Sequence, residues 1–162
     1  MLRSMTSLYI LNDDEILLLY RIGSRVIEPS YVGIGGHFEA EEFNDPQACV
    51  LRELKEETGL TLSNIENLTM RYVSLRHTGQ EIRQNFYFFA QLKGILPETL
   101  TCNEGRLAWK KLSECTDLPM PVTAKSCMKH YLKQGQFDHI IYGTMHTADQ
   151  EPVIVPLTKE ET

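Results

Sequence analysis

The segment from Asp45 to Gly59 constrains the fold of this chain more than any other part of the sequence. Asp45 followed by Pro46 is a typical helix start, with an N-cap side chain and a proline at the first helical position. Gly59 suits the position just past a helix end. At about 100° per residue, three apolar side chains then share one side: Val50, Leu51 and Leu54. The sequence therefore predicts a helix over 46–58 that packs one face on a core.

A second side of this helix carries a cluster of carboxylates. Glu53, Glu56 and Glu57 fall at i, i+3 and i+4, so their side chains project together and repel one another. Hard cations such as Mg²⁺ and Mn²⁺ bind oxygen-rich clusters of this kind. Arg52, one turn before Glu56, can hold a carboxylate through paired hydrogen bonds. The three glutamates taken alone fit an ordinary solvated helix face equally well.

Glycines upstream of the helix favour the metal-site interpretation. The run Gly33-Ile34-Gly35-Gly36 lies at the end of an apolar segment. Glycine lets the backbone come close to a ligand because it has no Cβ. A glycine-rich strand end followed by an acidic helix can bring carbonyls and carboxylates to one point.

Together these residues resemble the Nudix box, GX5EX7REUXEEXGU, where U is a bulky apolar residue. Gly36 and Glu42 match its first two fixed positions. Its second half is matched by Arg52, Glu53, Leu54, Glu56, Glu57, Gly59 and Leu60. The departure is the spacer, because nine residues rather than seven separate Glu42 from Arg52. Loops absorb short insertions at small cost, so we place the two extra residues before the helix start. The box then spans residues 36–60, and the position of Glu42 is its open question.

The resemblance implies an α/β (α+β) fold, the Nudix-type αβα sandwich with a mixed β-sheet between helices, as a single domain over residues 1–162. The segment pattern agrees with that fold. It predicts a hairpin of 7–11 and 15–22, and strands at 31–38, 68–75, 82–92 and 105–112. A second helix is predicted over 124–133, and late strand pieces at 139–142 and 153–155.

The resemblance also implies a Mg²⁺-dependent pyrophosphohydrolase that cleaves a nucleoside diphosphate linked to a group X, with Mn²⁺ as a substitute cation. Glu53, Glu56 and Glu57 would be metal ligands, and the Gly36 carbonyl would complete the coordination. One of these glutamates, with Glu53 favoured, would act as general base instead of as a ligand, and Arg52 would orient Glu56 and Glu53. Glu104, ahead of a tryptophan-bearing segment, is a further ligand or base candidate.

Substrate markers known in the family lie outside the box and are absent here. No proline occurs in 61–96, whereas enzymes acting on ADP-ribose carry one about fifteen residues beyond the box. Arg76-His77-Thr78 stands where the dinucleoside polyphosphate type has a tyrosine, and the coenzyme A signature is missing. Elimination leaves a nucleoside triphosphate, with an oxidised purine such as 8-oxo-dGTP as one candidate. Expected substrate contacts are Arg21, Arg25, Phe38, Gln84, Asn85, Tyr87 and Trp109.

Two other classes of protein share such a box or fold. A ligand sensor with a relic box would be expected to have lost Arg52 or a glutamate, and all are present. A double-bond isomerase acting on an allylic diphosphate would need a catalytic cysteine elsewhere than Cys49. Incubation with Mg²⁺ and a nucleotide panel separates the three.

Composition limits the partners and the location. The formal net charge of −6 argues against gripping duplex nucleic acid, which needs clustered Lys and Arg. A small anionic nucleotide remains compatible, because bound cations supply positive charge. No apolar run is long enough for a membrane span, and the N-terminus lacks a signal-peptide pattern, so we expect a cytoplasmic protein. The oligomeric state is not predicted.

Overall fold

One mixed sheet of eight strands forms the centre of the described chain. The computed structural model describes residues 1–23, 28–97, 100 and 102–160. The strands are β1 (Leu2–Asn12), β2 (Glu15–Arg21), β3 (Ser30–Val32), β4 (Ile65–His77), β5 (Ile82–Leu92), β6 (Gly105–Lys111), β7 (Tyr142–Thr147) and β8 (Val155–Pro156). The helices are α1 (Pro46–Thr58) and α2 (Val122–Lys133). Short 3₁₀ turns lie at Ala40–Glu42, Leu62–Asn64, Leu112–Asp117 and Gly135–Phe137.

The strand order is β3-β2-β1-β5-β4-β7-β8, with β6 paired to β2. The β1–β5 and β4–β7 pairs are parallel, and the other pairs are antiparallel. The long β1–β5 register aligns Leu2 with Ile82 and Leu11 with Gln91. The prediction of a mixed sheet is therefore confirmed.

Helix α1 begins and ends where the sequence predicts. The Asp45 carboxylate accepts a hydrogen bond from the Ala48 N–H at 3.1 Å, which satisfies one of the unpaired donors of the first turn. Gly59 closes the helix with φ of 77°, and its N–H donates to the Lys55 carbonyl at 2.8 Å. Glycine adopts this left-handed conformation without the Cβ penalty that other residues meet.

The two helices cover opposite faces of the sheet. Val50 and Leu54 of α1 are fully buried in one apolar cluster, together with Leu8, Ile10, Leu17, Ile34, Phe88 and Ala90. Met128 and Tyr131 of α2 pack in the other cluster, with Tyr9, Leu11, Leu18, Tyr72, Tyr87 and Phe89. Alternate residues of β1 enter opposite clusters, as the two-residue period of a strand requires. The αβα sandwich is confirmed.

Several predicted segments differ from the structure in their bounds. The strand predicted over 31–38 is regular only at Ser30–Val32, and the glycine run continues beside β1 through isolated bridges at Ile34 and His37. The strand predicted at 139–142 is wrong, because β7 starts at Tyr142 and runs to Thr147. The late piece at 153–155 is regular only from Val155, in β8. Helix α2 starts two residues earlier than predicted, at Val122.

Of the helices in the described part of the chain, none combines the length and the apolar character needed to cross a membrane.

Candidate active site

The glycine run meets helix α1 at Gly36. The Thr6 N–H of β1 donates to the Gly36 carbonyl at 2.9 Å, and the Leu8 N–H donates to the Ile34 carbonyl at 2.6 Å, so the run is fixed along β1. A Cβ on Gly36 would lie 2.5 Å from Oε1 of Glu53. Only glycine therefore lets this carboxylate lie against the backbone. Besides its bond from Thr6, the Gly36 carbonyl accepts only a weak contact from the Cys49 thiol, at 3.9 Å, which a cation could displace.

Arg52 is the centre of an ion-pair network. Its Nε and one terminal nitrogen donate to the two carboxylate oxygens of Glu42, both at 2.9 Å. Its other terminal nitrogen donates to Glu53 at 2.9 Å and to Glu56 at 3.1 Å. A further bond, 2.9 Å long, reaches the carbonyl of His37. One guanidinium thus ties the helix carboxylates to the glycine run and to the loop before the helix.

The structure answers the question about Glu42 left by the spacer. Glu42 ends a 3₁₀ turn in which its Oε1 accepts the Glu39 N–H at 2.9 Å, and only Phe43 and Asn44 separate it from the N-cap Asp45. Its side chain is buried. The paired bonds from Arg52 hold the pKa of the Glu42 carboxyl below its usual range, against the opposing effect of burial. The same bonds raise the pKa of Arg52 further.

Glu57 is the least satisfied carboxylate of the described chain. It is 7% exposed, and neither Oε1 nor Oε2 has a hydrogen-bond partner of good geometry, although the Gly35 backbone and the Glu104 carboxyl lie close enough to affect its pKa. Burial, followed by the charges of Glu104 and Glu53, raises the pKa of Glu57 to about 8. Burial also raises the pKa of Glu53, against the lowering effect of Arg52. A buried carboxylate without partners is costly, unless a cation completes its surroundings.

The donor atoms of the site match the chemistry of the divalent cation that the box implies. In the described ranges, no three His, Cys, Asp or Glu side chains already converge as a finished cage. The chemistry nevertheless fits a hard cation: Glu57 has two orphan oxygens, and Arg52 holds only one oxygen each of Glu53 and Glu56. The remaining oxygens, with the Gly36 carbonyl, are free to coordinate.

A cavity of about 550 Å³ opens beside these carboxylates. It lies between the glycine run, the first turn of α2 and the face of the sheet that α2 covers. Of the sequence-predicted residues, Gly36, Glu53, Glu104, Arg21, Asn85 and Tyr87 line it. Arg21 donates to Glu104 at 2.6 Å, so the two form an ion pair at the cavity wall.

Other sequence-predicted residues lie elsewhere. The Phe38 ring packs against Phe43 and Phe86, with centroids 6.2 and 5.5 Å away, and does not line the cavity. Trp109 packs against the α1-side core, and Gln84 accepts from Ser4 at 2.9 Å. Arg25 is outside the described residues.

Two arginines in the cavity wall were missed by the sequence reasoning. Arg76 on β4 and Arg83 on β5 are direct cross-strand partners, and both line the cavity. They lie next to the turn between β4 and β5, where His77 pairs with Ile82 and Arg76 with Arg83. A hairpin pairs such positions and places them on one face.

The comparisons with known proteins agree with this geometry. Residues 1–131 match the family model of the NUDIX domain. The chain therefore belongs to the NUDIX family. As the box predicted, it is a hydrolase that cleaves phosphoric anhydride bonds in small substrates that contain a nucleoside diphosphate.

Solved structures show the same fold. A mutator MutT protein from Bacillus halodurans is 26% identical, with a TM-score of 0.71 over 97% of this chain and 99% of that one. A MutT protein from Methanosarcina mazei is 17% identical, with a TM-score of 0.62 over 82% and 94%. An Ap4A hydrolase from C. elegans is 17% identical, with a TM-score of 0.64 over 81% and 96%.

Proposed function

We propose that this protein hydrolyses a nucleoside diphosphate linked to X in a reaction that requires Mg²⁺, which Mn²⁺ can replace. Glu56, Glu57 and the Gly36 carbonyl would hold the cation, Glu104 would be a further ligand, and Glu53 would be the general base instead of a ligand. When bound, the cation neutralises charge on the diphosphate and makes water a better nucleophile.

The observation that carries the proposal is the Glu57 carboxylate. A helix that served only stability would not bury an unpartnered carboxylate next to two other carboxylates. In the metal-free protein, protonation of Glu57 removes the cost of burying its charge. A bound cation would offset the same cost in the working enzyme. The same residue thus links the acidic cluster to a specific need for positive charge.

The protein's own groups divide the remaining tasks. Arg52 is a positioning residue, because it holds Glu53 and Glu56 in place through single oxygens. Glu53 is the proposed general base: Arg52 occupies Oε1, which leaves Oε2 to accept the proton of the attacking water. Burial makes Glu53 a stronger base than an exposed carboxylate, because it raises the pKa of the group.

For the substrate we propose a nucleoside triphosphate, with an oxidised purine such as 8-oxo-dGTP as the candidate to test, cleaved to a nucleotide and pyrophosphate. The cavity volume falls in the range of small-molecule sites, roughly 300–1,000 Å³. Tyr87 supplies an aromatic wall, and Asn85 an amide that can read a base edge. Arg21 at the wall can approach the phosphates, although it pairs with Glu104 in this structure.

The test compares Glu57→Gln and Glu56→Gln with the wild type and with Glu66→Gln, which removes an equal charge from an exposed position of β4. Purified proteins are incubated with MgCl₂ and a nucleotide panel that includes 8-oxo-dGTP, and the release of pyrophosphate and phosphate is scored. We expect turnover to be lost in the two site variants and kept in Glu66→Gln. Wild-type rates in Glu57→Gln would refute the site. Metal binding without turnover of any diphosphate would favour the ligand sensor.

A further inference from the structure

Two arginines, Arg76 and Arg83, line the cavity away from the carboxylates, and Arg3 adjoins them on the next strand without lining it. Arg3 of β1, Arg83 of β5 and Arg76 of β4 follow one another across three strands, because Arg3 is the Cα partner of Arg83 and Arg83 of Arg76. The carboxylate of Glu81 lies 2.8 Å from Arg83 and 3.6 Å from Arg3. These three arginines and one glutamate carry a formal net charge of +2, in a protein whose total is −6.

Arg76 has no counter-ion among the described residues. No described carboxylate is paired with it, and its Nε is buried without a hydrogen-bond partner. Like charges directly opposite on neighbouring strands are destabilising, and a buried N–H without an acceptor adds to the cost. A purely structural pair of residues would avoid both penalties. The arrangement is therefore suited to an acceptor from outside the protein.

The first turn of α2 adds to the positive character of this wall. Thr123 and Ala124 line the same cavity as Arg76 and Arg83. The helix has twelve residues, and no side chain caps its N-terminus. Uncapped N–H groups and the helix dipole both favour an anion there.

The basic wall is separate from the diphosphate position. Gly36 is hydrogen-bonded to Thr6 of β1, whose partner on the neighbouring strand β5 is Phe86. Arg83 lies three residues before Phe86 on β5. Arg76 lies one strand beyond Arg83. Three strand spacings of about 4.8 Å and three residues of about 3.3 Å place the Cα atoms of Gly36 and Arg76 on the order of 17 Å apart. Even with the arginine side chains extended toward the carboxylates, the remaining gap is longer than a P–O–P bridge. An anion bound at the arginines must belong to another part of the substrate.

We propose that Arg76 and Arg83 form a second anion subsite, which binds a phosphate or carboxylate carried by the substrate away from its scissile diphosphate. The shared chemistry is a planar or tetrahedral oxyanion, which guanidinium groups grip through paired hydrogen bonds. The oxyanion comes from the nucleoside half or from the X half of the substrate. This inference rests on the proposed hydrolysis of a nucleoside diphosphate linked to X and narrows that class, because 8-oxo-dGTP, whose anionic groups all belong to one phosphate chain, would leave this subsite empty.

The first test measures binding alone, without metal or turnover. Isothermal titration compares adenosine 3′,5′-bisphosphate with AMP for the nucleoside half, and glucuronate 1-phosphate with glucose 1-phosphate for the X half. In one of the two pairs, we expect the compound with two separate anionic groups to bind the wild type about 10- to 100-fold more tightly than its partner. This is the effect of one charge-assisted hydrogen-bond pair. The pair that shows the preference identifies the source of the anion.

Variants connect that preference to the arginines. Arg76→Gln should abolish it, and Arg76→Lys should keep part of it. Lys129→Gln, which removes a charge from the exposed side of α2, should keep all of it. Because Arg76→Gln relieves the like-charge pair, we expect its Tm to equal or exceed that of the wild type, so that loss of binding does not reflect misfolding.

Three results would overturn the subsite. The first is an equal affinity for both members of each pair. The second is a preference that survives in Arg76→Gln. The third is tighter binding of GMP than of AMP that Arg76→Gln removes, while the second anionic group has no effect. Absence of any diphosphate hydrolysis would instead refute the proposed function, and the binding measurement would still decide the subsite.

Discussion

Glu42→Gln tests whether the inserted spacer keeps this glutamate in the site. The structure gives Glu42 two bonds from Arg52 at 2.9 Å and one from the Glu39 N–H. An amide keeps one acceptor oxygen but turns an NH₂ group toward a guanidinium donor. Arg52 would then lose one strong bond and face a repulsive contact.

The expected cost follows from burial and partner count. Losing one partner of a buried ion pair costs about 3–5 kcal/mol, and a hydrogen bond to a charged group is worth about 1.5–3 kcal/mol. The side chain of Glu42 is 10% exposed and that of Arg52 is 21% exposed, and Arg52 keeps Glu53 and Glu56 as partners. We therefore expect a loss of about 2–3 kcal/mol, which lowers the Tm by about 4–12 °C in a chain of this size.

The acid limb gives an independent measurement of the same interaction. Because the folded-state pKa of Glu42 is lowered, its contribution to stability is present above its ordinary value near 4.5 and is lost as pH falls through the lowered pKa. Wild-type stability should decline in that acidic window, and the variant should decline less steeply. Urea unfolding at a series of pH values, without metal, measures both.

Glu41→Gln is the matched control, because Glu41 is the exposed neighbour in the same 3₁₀ turn. We expect its unfolding free energy to stay within about 0.5 kcal/mol of the wild type. If Glu42→Gln is as stable as Glu41→Gln at neutral pH, the proposed link between the spacer loop and Arg52 is wrong.

Two further predictions concern the cavity and its entrance. Gly36→Ala would force the Glu53 carboxylate aside, since the added Cβ meets only the end of that flexible side chain. We expect a fold close to that of the wild type and a fall in kcat of at least about tenfold. An unchanged kcat would contradict the close approach of Glu53 to Gly36. Asn85→Ala should raise KM severalfold at similar kcat, because Asn85 lines the cavity. Phe38→Ala should lower the Tm through lost packing and leave KM unchanged. If only Phe38→Ala changed KM, the assignment of Asn85 rather than Phe38 to substrate binding would be wrong.

Local signals made the helix and its motif predictable from sequence. Asp45, Pro46 and Gly59 fix the ends of α1 through capping and backbone conformation, which depend on neighbours within a few residues. The spacing of the glutamates then follows from helix geometry alone. Segments with weaker local signals were placed less well, as with the strand predicted at 139–142, which starts at Tyr142 instead.

Features that depend on distant contacts were not predictable in the same way. The bond between Glu42 and Arg52 depends on how a 3₁₀ turn folds back on the helix, and the lack of partners at Glu57 depends on packing from several elements. The pairing of Arg76 with Arg83 requires the register of the β4–β5 hairpin, which is interrupted by two irregularities nearer its open end. Sequence patterns supply the residue types, and the register decides which of them meet.

The distribution of charge in the cavity also explains why the total charge misleads. A net charge of −6 suggests a surface that repels nucleotides, yet the cavity places carboxylates at one end and arginines at the other. The two ends are separated by more than the Debye length, about 8 Å at physiological ionic strength, so screening weakens the interaction between their charges. The acidic end requires a cation before it can accept a diphosphate, whereas the basic end attracts an anion without one. A substrate with two separated anions would therefore engage Arg76 and Arg83 even in the metal-free protein, and metal binding would add the second contact.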